Sequence, residues 1–107
     1  MLDENTLRKA AERLAKAASQ PAVVILFGSY ARGDADAASD LDLLVVEETL
    51  TDKASEYLRL RQALGSLPSG VDILLMSRNE FERRRQVKGT LPYHASNEGR
   101  VLYDAAA

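Results

Sequence analysis

The chain has 107 residues, of which 46% are hydrophobic and 28% are charged, a composition typical of one folded domain and not of a disordered segment. It contains no cysteine, which excludes disulfides, thiolate catalysis and cysteine-ligated zinc. The formal net charge of −2 provides no overall basic field, so we expect no direct binding of nucleic acid. No apolar run or signal-peptide pattern indicates membrane contact, so we expect a cytoplasmic location.

Hydrophobic periodicity and turn residues divide the chain into alternating helices and strands. In chain order the predicted elements are a helix over about 4–19, a strand over 22–27, a helical turn over 29–33, a strand over 40–47, a helix over about 52–66, a strand over 71–76, a helix over about 78–88, a short helix opened by Pro92 and a strand over 101–103. This order predicts an α/β fold, with a mixed sheet covered by helices mainly on one face, in a single domain spanning 1–107.

Two of the predicted helices carry more specific expectations. For helix 52–66 we place one set of side chains along a single side: Ala54, Tyr57, Leu58, Arg61 and Leu64. At the start of helix 78–88, Ser77 and Glu80 form a capping-box pattern. In such a box the serine oxygen accepts from the backbone N–H of Glu80, and the glutamate side chain reaches back to the cap.

Aspartates occur at the starts of two predicted strands. Asp40 and Asp42 share one face, because strand residues i and i+2 point the same way and lie roughly 6.5–7 Å apart. Two carboxylates on one face repel each other, and a hard cation such as Mg²⁺ removes that repulsion by binding their oxygens. Asp72 reaches the same site if strands 40–47 and 71–76 are neighbours. Three carboxylates can hold a pair of metal ions, an arrangement used in phosphoryl and nucleotidyl transfer.

A glycine-serine turn follows the first strand and precedes a short helix. Gly28 lets the backbone approach a ligand closely, Ser29 adds a hydroxyl, and the helix N-terminus offers N–H groups to an anion. We therefore expect a triphosphate to lie here. Asp40 and Asp42 would hold its metal ions, and Asp72 would act as general base or second-metal ligand.

Each of these features has a plain structural explanation when it is taken alone. The turn could be only a turn, and the aspartates could be solvated strand ends; their joint order and spacing favour the functional interpretation. Arg32 is a candidate phosphate contact, with an ion pair to Asp34 or Asp36 as the alternative. His94 is the only histidine, and we predict a surface position without a catalytic role.

These residues resemble the motif of the minimal nucleotidyltransferases of the polymerase-beta superfamily. That motif is glycine-serine, about ten residues, Asp-x-Asp and a third acidic residue on a later strand, matched here by Gly28, Ser29, Asp40, Asp42 and Asp72. The resemblance implies a nucleotidyltransferase-type fold, Mg²⁺ as cofactor and ATP as co-substrate. It also implies that Asp40, Asp42 and Asp72 are catalytic metal ligands and that Gly28, Ser29 and Arg32 bind the nucleotide.

The resemblance extends beyond the motif itself. The Ala-Arg-Gly sequence that ends at Gly33 and the Ser-Asp-x-Asp-Leu sequence at 39–43 match a closer subfamily, as do the segments 89–93 and 98–103. The loop 34–38 lacks the Arg-Pro pair of many members, and that departure affects only an extra triphosphate contact from this loop.

The resemblance further implies a partner. Such proteins are commonly encoded beside a HEPN-domain protein, and the pair looks like a toxin–antitoxin module in which the antitoxin transfers AMP from ATP to a tyrosine of the toxin. A HEPN toxin in a hetero-oligomer is therefore the expected partner. Two alternatives remain open: a non-catalytic antitoxin that neutralises a HEPN ribonuclease by occlusion, and a small-molecule nucleotidyltransferase.

Overall fold

The computed structural model describes residues 1–106. In this part of the chain the elements are α1 (Glu4–Ala17), β1 (Ala22–Phe27), α2 (Ser29–Arg32), β2 (Leu41–Glu47), α3 (Lys53–Leu64), β3 (Val71–Ser77), α4 (Arg78–Arg84), α5 (Leu91–Glu98) and β4 (Arg100–Asp104). Their order is the predicted one. No helix within residues 1–106 combines the length and the apolar character needed to cross a membrane.

The four strands form one mixed sheet in the order β3-β2-β1-β4. β1 is antiparallel to both β2 and β4, whereas β2 and β3 are parallel. The parallel pair is the neighbour relation that the site prediction required, and its register places Asp42 opposite Asp72. The predicted fold class, a mixed sheet in an α/β protein, is confirmed.

Helices cover the two faces of the sheet unequally. α1 and α3 pack on one face around the larger hydrophobic cluster, which includes Leu7, Leu14, Leu26, Leu43, Leu60 and Leu64. α4 and α5 pack on the other face around a smaller cluster, which includes Ile25, Phe27, Leu44, Met76, Phe81 and Ala95. Asp42 lies on this second face, because it alternates with Leu43 and shares the side of Leu44.

Polar side chains cap the starts of four helices. Asp3, Asp52, Ser77 and Thr90 each accept a hydrogen bond from the backbone N–H three residues later. Half of the predicted capping box is therefore confirmed. The other half is wrong, because the Glu80 carboxylate instead pairs with Lys53 at 3.7 Å and Arg84 at 3.0 Å.

Three sequence predictions about helices need correction. The first helix ends at Ala17 and not at 19, and α4 ends at Arg84 and not at 88. At the end of α4 the Thr90 hydroxyl donates a hydrogen bond to the Arg84 carbonyl at 2.9 Å. The predicted side of α3 is wrong except for Leu64: the buried residues are Glu56, Leu60 and Leu64. Of the residues assigned to that side, Ala54, Tyr57, Leu58 and Arg61 are exposed.

Glu56 explains the error on α3. Its carboxylate is turned inward and accepts from the backbone N–H of Ser19 at 2.8 Å and from the Ser19 hydroxyl at 2.6 Å. These bonds hold the end of α1 against α3. Hydrophobic patterning treats glutamate as an exposed residue. The predicted buried side of α3 was therefore different from the side that is buried in the structure.

A second glutamate is buried where β2 ends. The Glu47 side chain is 0% exposed, and neither carboxylate oxygen has a hydrogen-bond partner among residues 1–106. Burial raises the pKa of Glu47 to about 8, and the neighbouring Glu56 carboxyl contributes to the rise. A buried unpaired charge is costly, so the folded protein favours protonated Glu47 at neutral pH.

We predict that Glu47 makes stability fall as pH rises. Its pKa is about 8 in the folded protein against an ordinary value of 4.5, so the folded state binds the extra proton between these values. Stability that is present below about pH 4.5 is therefore lost as pH rises to about 8. Urea unfolding from pH 5 to 9 in metal-free buffer should show a shallower decline for Glu47→Gln than for the wild type.

The matched control for this experiment is Glu12→Gln, which removes an exposed carboxylate from α1. It should keep the decline of the wild type. Equal slopes for the wild type and Glu47→Gln would contradict the assignment of this proton to Glu47.

Candidate active site

Three carboxylates line one cavity at the end of the parallel strand pair. Asp42 and Asp72 are opposite each other in β2 and β3, and Asp40 lies two residues before Asp42. All three line a cavity of about 580 Å³, which is within the size range of small-molecule sites. Asp40 and Asp72 are exposed and Asp42 is half-buried. The structure therefore brings together the three aspartates that the sequence singled out.

Like charge dominates the electrostatics at this end of the sheet. Burial raises the pKa of the Asp42 carboxyl, the charges of Asp72 and Asp40 raise it further, and Arg32 lowers it. Among residues 1–106, no three side chains of the metal-binding types are already arranged as a formed metal site. The three carboxylates thus line one cavity, but their oxygens do not converge on a single position.

Two glycines let the main chain come close to the aspartates. Gly28 has φ 74° and ψ −154°, and a Cβ atom built on it would collide with the Asp42 carboxylate. A Cβ atom on Gly70 would collide with the Asp40 carboxylate, and the Gly70 carbonyl accepts from Leu41 N–H at 2.8 Å. The sequence analysis pointed to Gly28 but did not assign Gly70 to the site.

Ser29 and Arg32, at the two ends of α2, also line the cavity. Because α2 has only four residues, its macrodipole is small, and the Ser29 hydroxyl is the more substantial polar contribution. Arg32 Nε lies 3.4 Å from Asp34 and its Nη1 lies 3.4 Å from Glu98. One of the two predicted ion pairs is therefore present, and the guanidinium still borders the cavity.

The opposite wall of the cavity comes from α5, which sequence reasoning did not assign to the site. Leu91, His94 and Glu98 line it. His94 is exposed, as predicted, but it borders the cavity and is not on a remote surface. The signal available was the resemblance of segments 89–93 and 98–103 to the same subfamily. Which side of α5 faces the site depends on its packing against the sheet, and periodicity does not reveal that.

An acidic trio beside a glycine-serine turn, on a small mixed sheet, defines a nucleotidyltransferase. The chain belongs to the nucleotidyltransferase domain family, whose profile it matches over residues 6–96. The resemblance predicted from the motif residues is thereby confirmed, and the protein is a nucleotidyltransferase enzyme.

Individual relatives point in the same direction. A Methanocaldococcus jannaschii protein, assigned by name as a protein adenylyltransferase, is 33% identical over 84 residues, which are 75% of this chain and 76% of that protein. A toxin–antitoxin structure with AMP-PNP has a TM-score of 0.66 at 27% identity, covering 96% of this chain and 74% of that chain. A tri-AMPylated Shewanella oneidensis HEPN toxin with its MNT antitoxin matches in fold, with a TM-score of 0.60 at 22% identity over 96% of this chain and 73% of that chain.

Replacement of Gly28 by alanine should separate backbone strain from loss of the site. Gly65 at the end of α3 has nearly the same conformation, φ 69° and ψ −156°, but a Cβ atom there meets nothing within 4 Å. Both Gly28→Ala and Gly65→Ala should cost about 1–3 kcal/mol of stability, because this region of backbone space is open essentially only to glycine.

Only Gly28→Ala also displaces the Asp42 carboxylate. Its affinity for a fluorescent ATP analogue with Mg²⁺ should fall by about tenfold or more, which corresponds to about 1.4 kcal/mol. Gly65→Ala should bind the analogue like the wild type. Equal affinities in the two variants would show that the contact between Gly28 and Asp42 does not shape the site.

Proposed function

We propose that this enzyme transfers AMP from ATP to a tyrosine hydroxyl of a HEPN-type toxin, with Mg²⁺ as cofactor, and so acts as an antitoxin. The observation that carries this proposal is the arrangement of Asp40, Asp42 and Asp72 around one cavity beside Ser29. A cavity with this donor set suits a metal-bound triphosphate at one end and an incoming hydroxyl at the other.

The comparisons support the choice of nucleotide and of acceptor class. The match to the Methanocaldococcus jannaschii relative assigned as a protein adenylyltransferase covers three quarters of this chain, which favours AMP as the transferred group and a protein as the acceptor. The 27%-identical neighbours are toxin–antitoxin complexes, one with AMP-PNP and one a mutant of MntA–HpeT. The HEPN class of the toxin follows from the motif resemblance.

The residues at the site fit Mg²⁺ in their chemistry. The donors are carboxylate oxygens, the ligands that a hard divalent cation prefers. Gly28 and Gly70 leave room for the Asp42 and Asp40 carboxylates close to the main chain. When bound, Mg²⁺ would offset the negative charge of the triphosphate and of Asp40 and Asp42, and Asp72 would be available to a second ion or to the acceptor.

The transfer itself requires one bond to form and one to break. The tyrosine oxygen attacks the α-phosphorus, the bond from that phosphorus to the bridging oxygen of the β-phosphate breaks, and pyrophosphate leaves. A phenol has a pKa near 10, so its proton needs an acceptor. Asp72 is exposed on the cavity wall and takes this proton. Ser29 and Arg32 lie where their hydroxyl and guanidinium can bind phosphate oxygens.

The role of Mg²⁺ can be tested through thermal stability. Mg-ATP binds only the folded state, so it should raise the melting temperature of the wild type. Asp40→Asn/Asp42→Asn should abolish this shift. The apo form of that variant should be at least as stable as the wild type, because like-charge repulsion is removed.

The control for this test is Glu12→Gln/Glu82→Gln, which removes two exposed carboxylates elsewhere and should keep the shift. A full Mg-ATP shift in Asp40→Asn/Asp42→Asn would place nucleotide binding at another site.

The transfer reaction is tested by measuring the intact mass of a HEPN protein encoded beside this enzyme, after the two proteins are incubated with Mg-ATP. The wild type should add one or more AMP units. Asp72→Asn should add none, yet it should still bind ATP and the partner, because Asp40 and Asp42 are unchanged. Asp104→Asn, which alters an exposed carboxylate on β4, should transfer AMP normally.

The other outcomes of this experiment distinguish the alternatives. Tight binding and neutralisation of the toxin without a mass gain would contradict transfer and support occlusion. AMP transfer to a free small-molecule hydroxyl, with an unmodified partner, would support a small-molecule nucleotidyltransferase.

A further inference from the structure

A second polar cavity lies at the end of β2 that is remote from the active site. Asp42 is near the start of this strand, whereas Glu47 is its last residue and faces the second cavity. The cavity has a volume of about 240 Å³. Apart from Leu50, its lining is polar and includes Ser19, Glu47, Thr49, Thr51, Glu56 and Arg59.

The carboxyl groups in this cavity differ in how they are satisfied. Glu56 is 6% exposed and accepts two hydrogen bonds from Ser19, and Arg59 Nε lies 3.7 Å from it. Asp52 accepts from the Ser55 backbone N–H and hydroxyl. Glu47 alone is fully buried without a formed hydrogen bond to either oxygen among the described residues. Its polar neighbours include the Glu56 carboxyl, with which it can share a proton, and the Gln20 backbone N–H. Buried polar groups are nearly always bonded, so these two oxygens require an explanation.

We propose that this cavity binds a divalent metal ion of the oxygen-preferring class between Glu47 and Glu56, as a site separate from the active site. Ions of this class take carboxylate, hydroxyl, carbonyl and water oxygens together. Two carboxylates come from the glutamates, and the hydroxyls of Thr49 and Thr51 border the same space. The ion would take the place of the proton that the two carboxyl groups can otherwise share.

Charge balance at the cavity favours a cation. The charged groups that face Glu47 are Glu56 and Arg59 on α3 and Asp52 at its cap. With Glu47 ionised, the carboxylates outnumber the guanidinium by two. A divalent ion would neutralise this excess and would also connect the Ser19 segment, the end of β2 and the first turns of α3 through the oxygens it binds.

A proton and a metal ion compete for Glu47, and this competition provides a signature. Because the pKa of Glu47 is about 8, binding below that pH must release a proton. The affinity for the ion should therefore increase by up to about tenfold for each unit by which pH rises toward 8. Above about pH 8 the affinity should stay constant.

The test uses full-length protein carrying Asp40→Asn, Asp42→Asn and Asp72→Asn, so that the active site contributes no metal binding. Calorimetric titration with CaCl₂ and, separately, with MgCl₂ at pH 6, 7 and 8 should show binding by at least one ion, tighter at higher pH. The same ion should raise the melting temperature. Glu47→Gln in this background should abolish both effects, and Glu12→Gln should leave them unchanged.

Two results would overturn the proposal. These are no binding of either ion at pH 8, or unchanged binding in the Glu47→Gln background. Each would leave Glu47 as a carboxyl that is simply held protonated. The titration at pH 8 needs no Glu47 variant, so an absence of binding overturns the proposal even if Glu47→Gln fails to fold. None of these readouts depends on AMP transfer.

Discussion

The parallel pairing of β2 with β3 is the constraint on which the candidate site depends. Side chains opposite each other in parallel strands share a face, so the register that aligns Asp42 with Asp72 also directs both carboxylates to one cavity. A slip of one residue would turn Asp72 toward the opposite face of the sheet. The apolar residues on both strands resist such a slip, because it would also turn Ile73 and Leu75 out of the larger core.

The order of elements and the acidic trio could be predicted because their signals are local. The run over 22–27 is apolar and ends at a glycine, and the observed strand has the same bounds, Ala22–Phe27. Spacing alone placed Asp40 and Asp42 on one side of a strand. Asp72 needed one further assumption, that its strand is the neighbour of β2, and the topology satisfies it.

What escaped prediction depends on contacts between segments that are distant in the chain. The buried side of α3 is set by Glu56, whose partner Ser19 is 37 residues away. Gly70 matters because Asp40 lies against it, and α5 lines the cavity because its other side packs on β1. A pattern of hydrophobicity carries no information about such pairs, since it records the preferences of each residue and not the identity of its neighbour.

The position of β3 at the edge of the sheet has a consequence for motion. Within residues 1–106, β2 is bonded on both sides, whereas β3 is bonded to β2 alone. Edge elements open at a lower free energy than interior ones, so backbone amides of β3 should exchange with solvent more readily than those of β2. Asp42 therefore belongs to a rigid interior strand, and Asp40 immediately precedes that strand. Asp72 belongs to a strand that can adjust its position when another molecule contacts this end of the sheet.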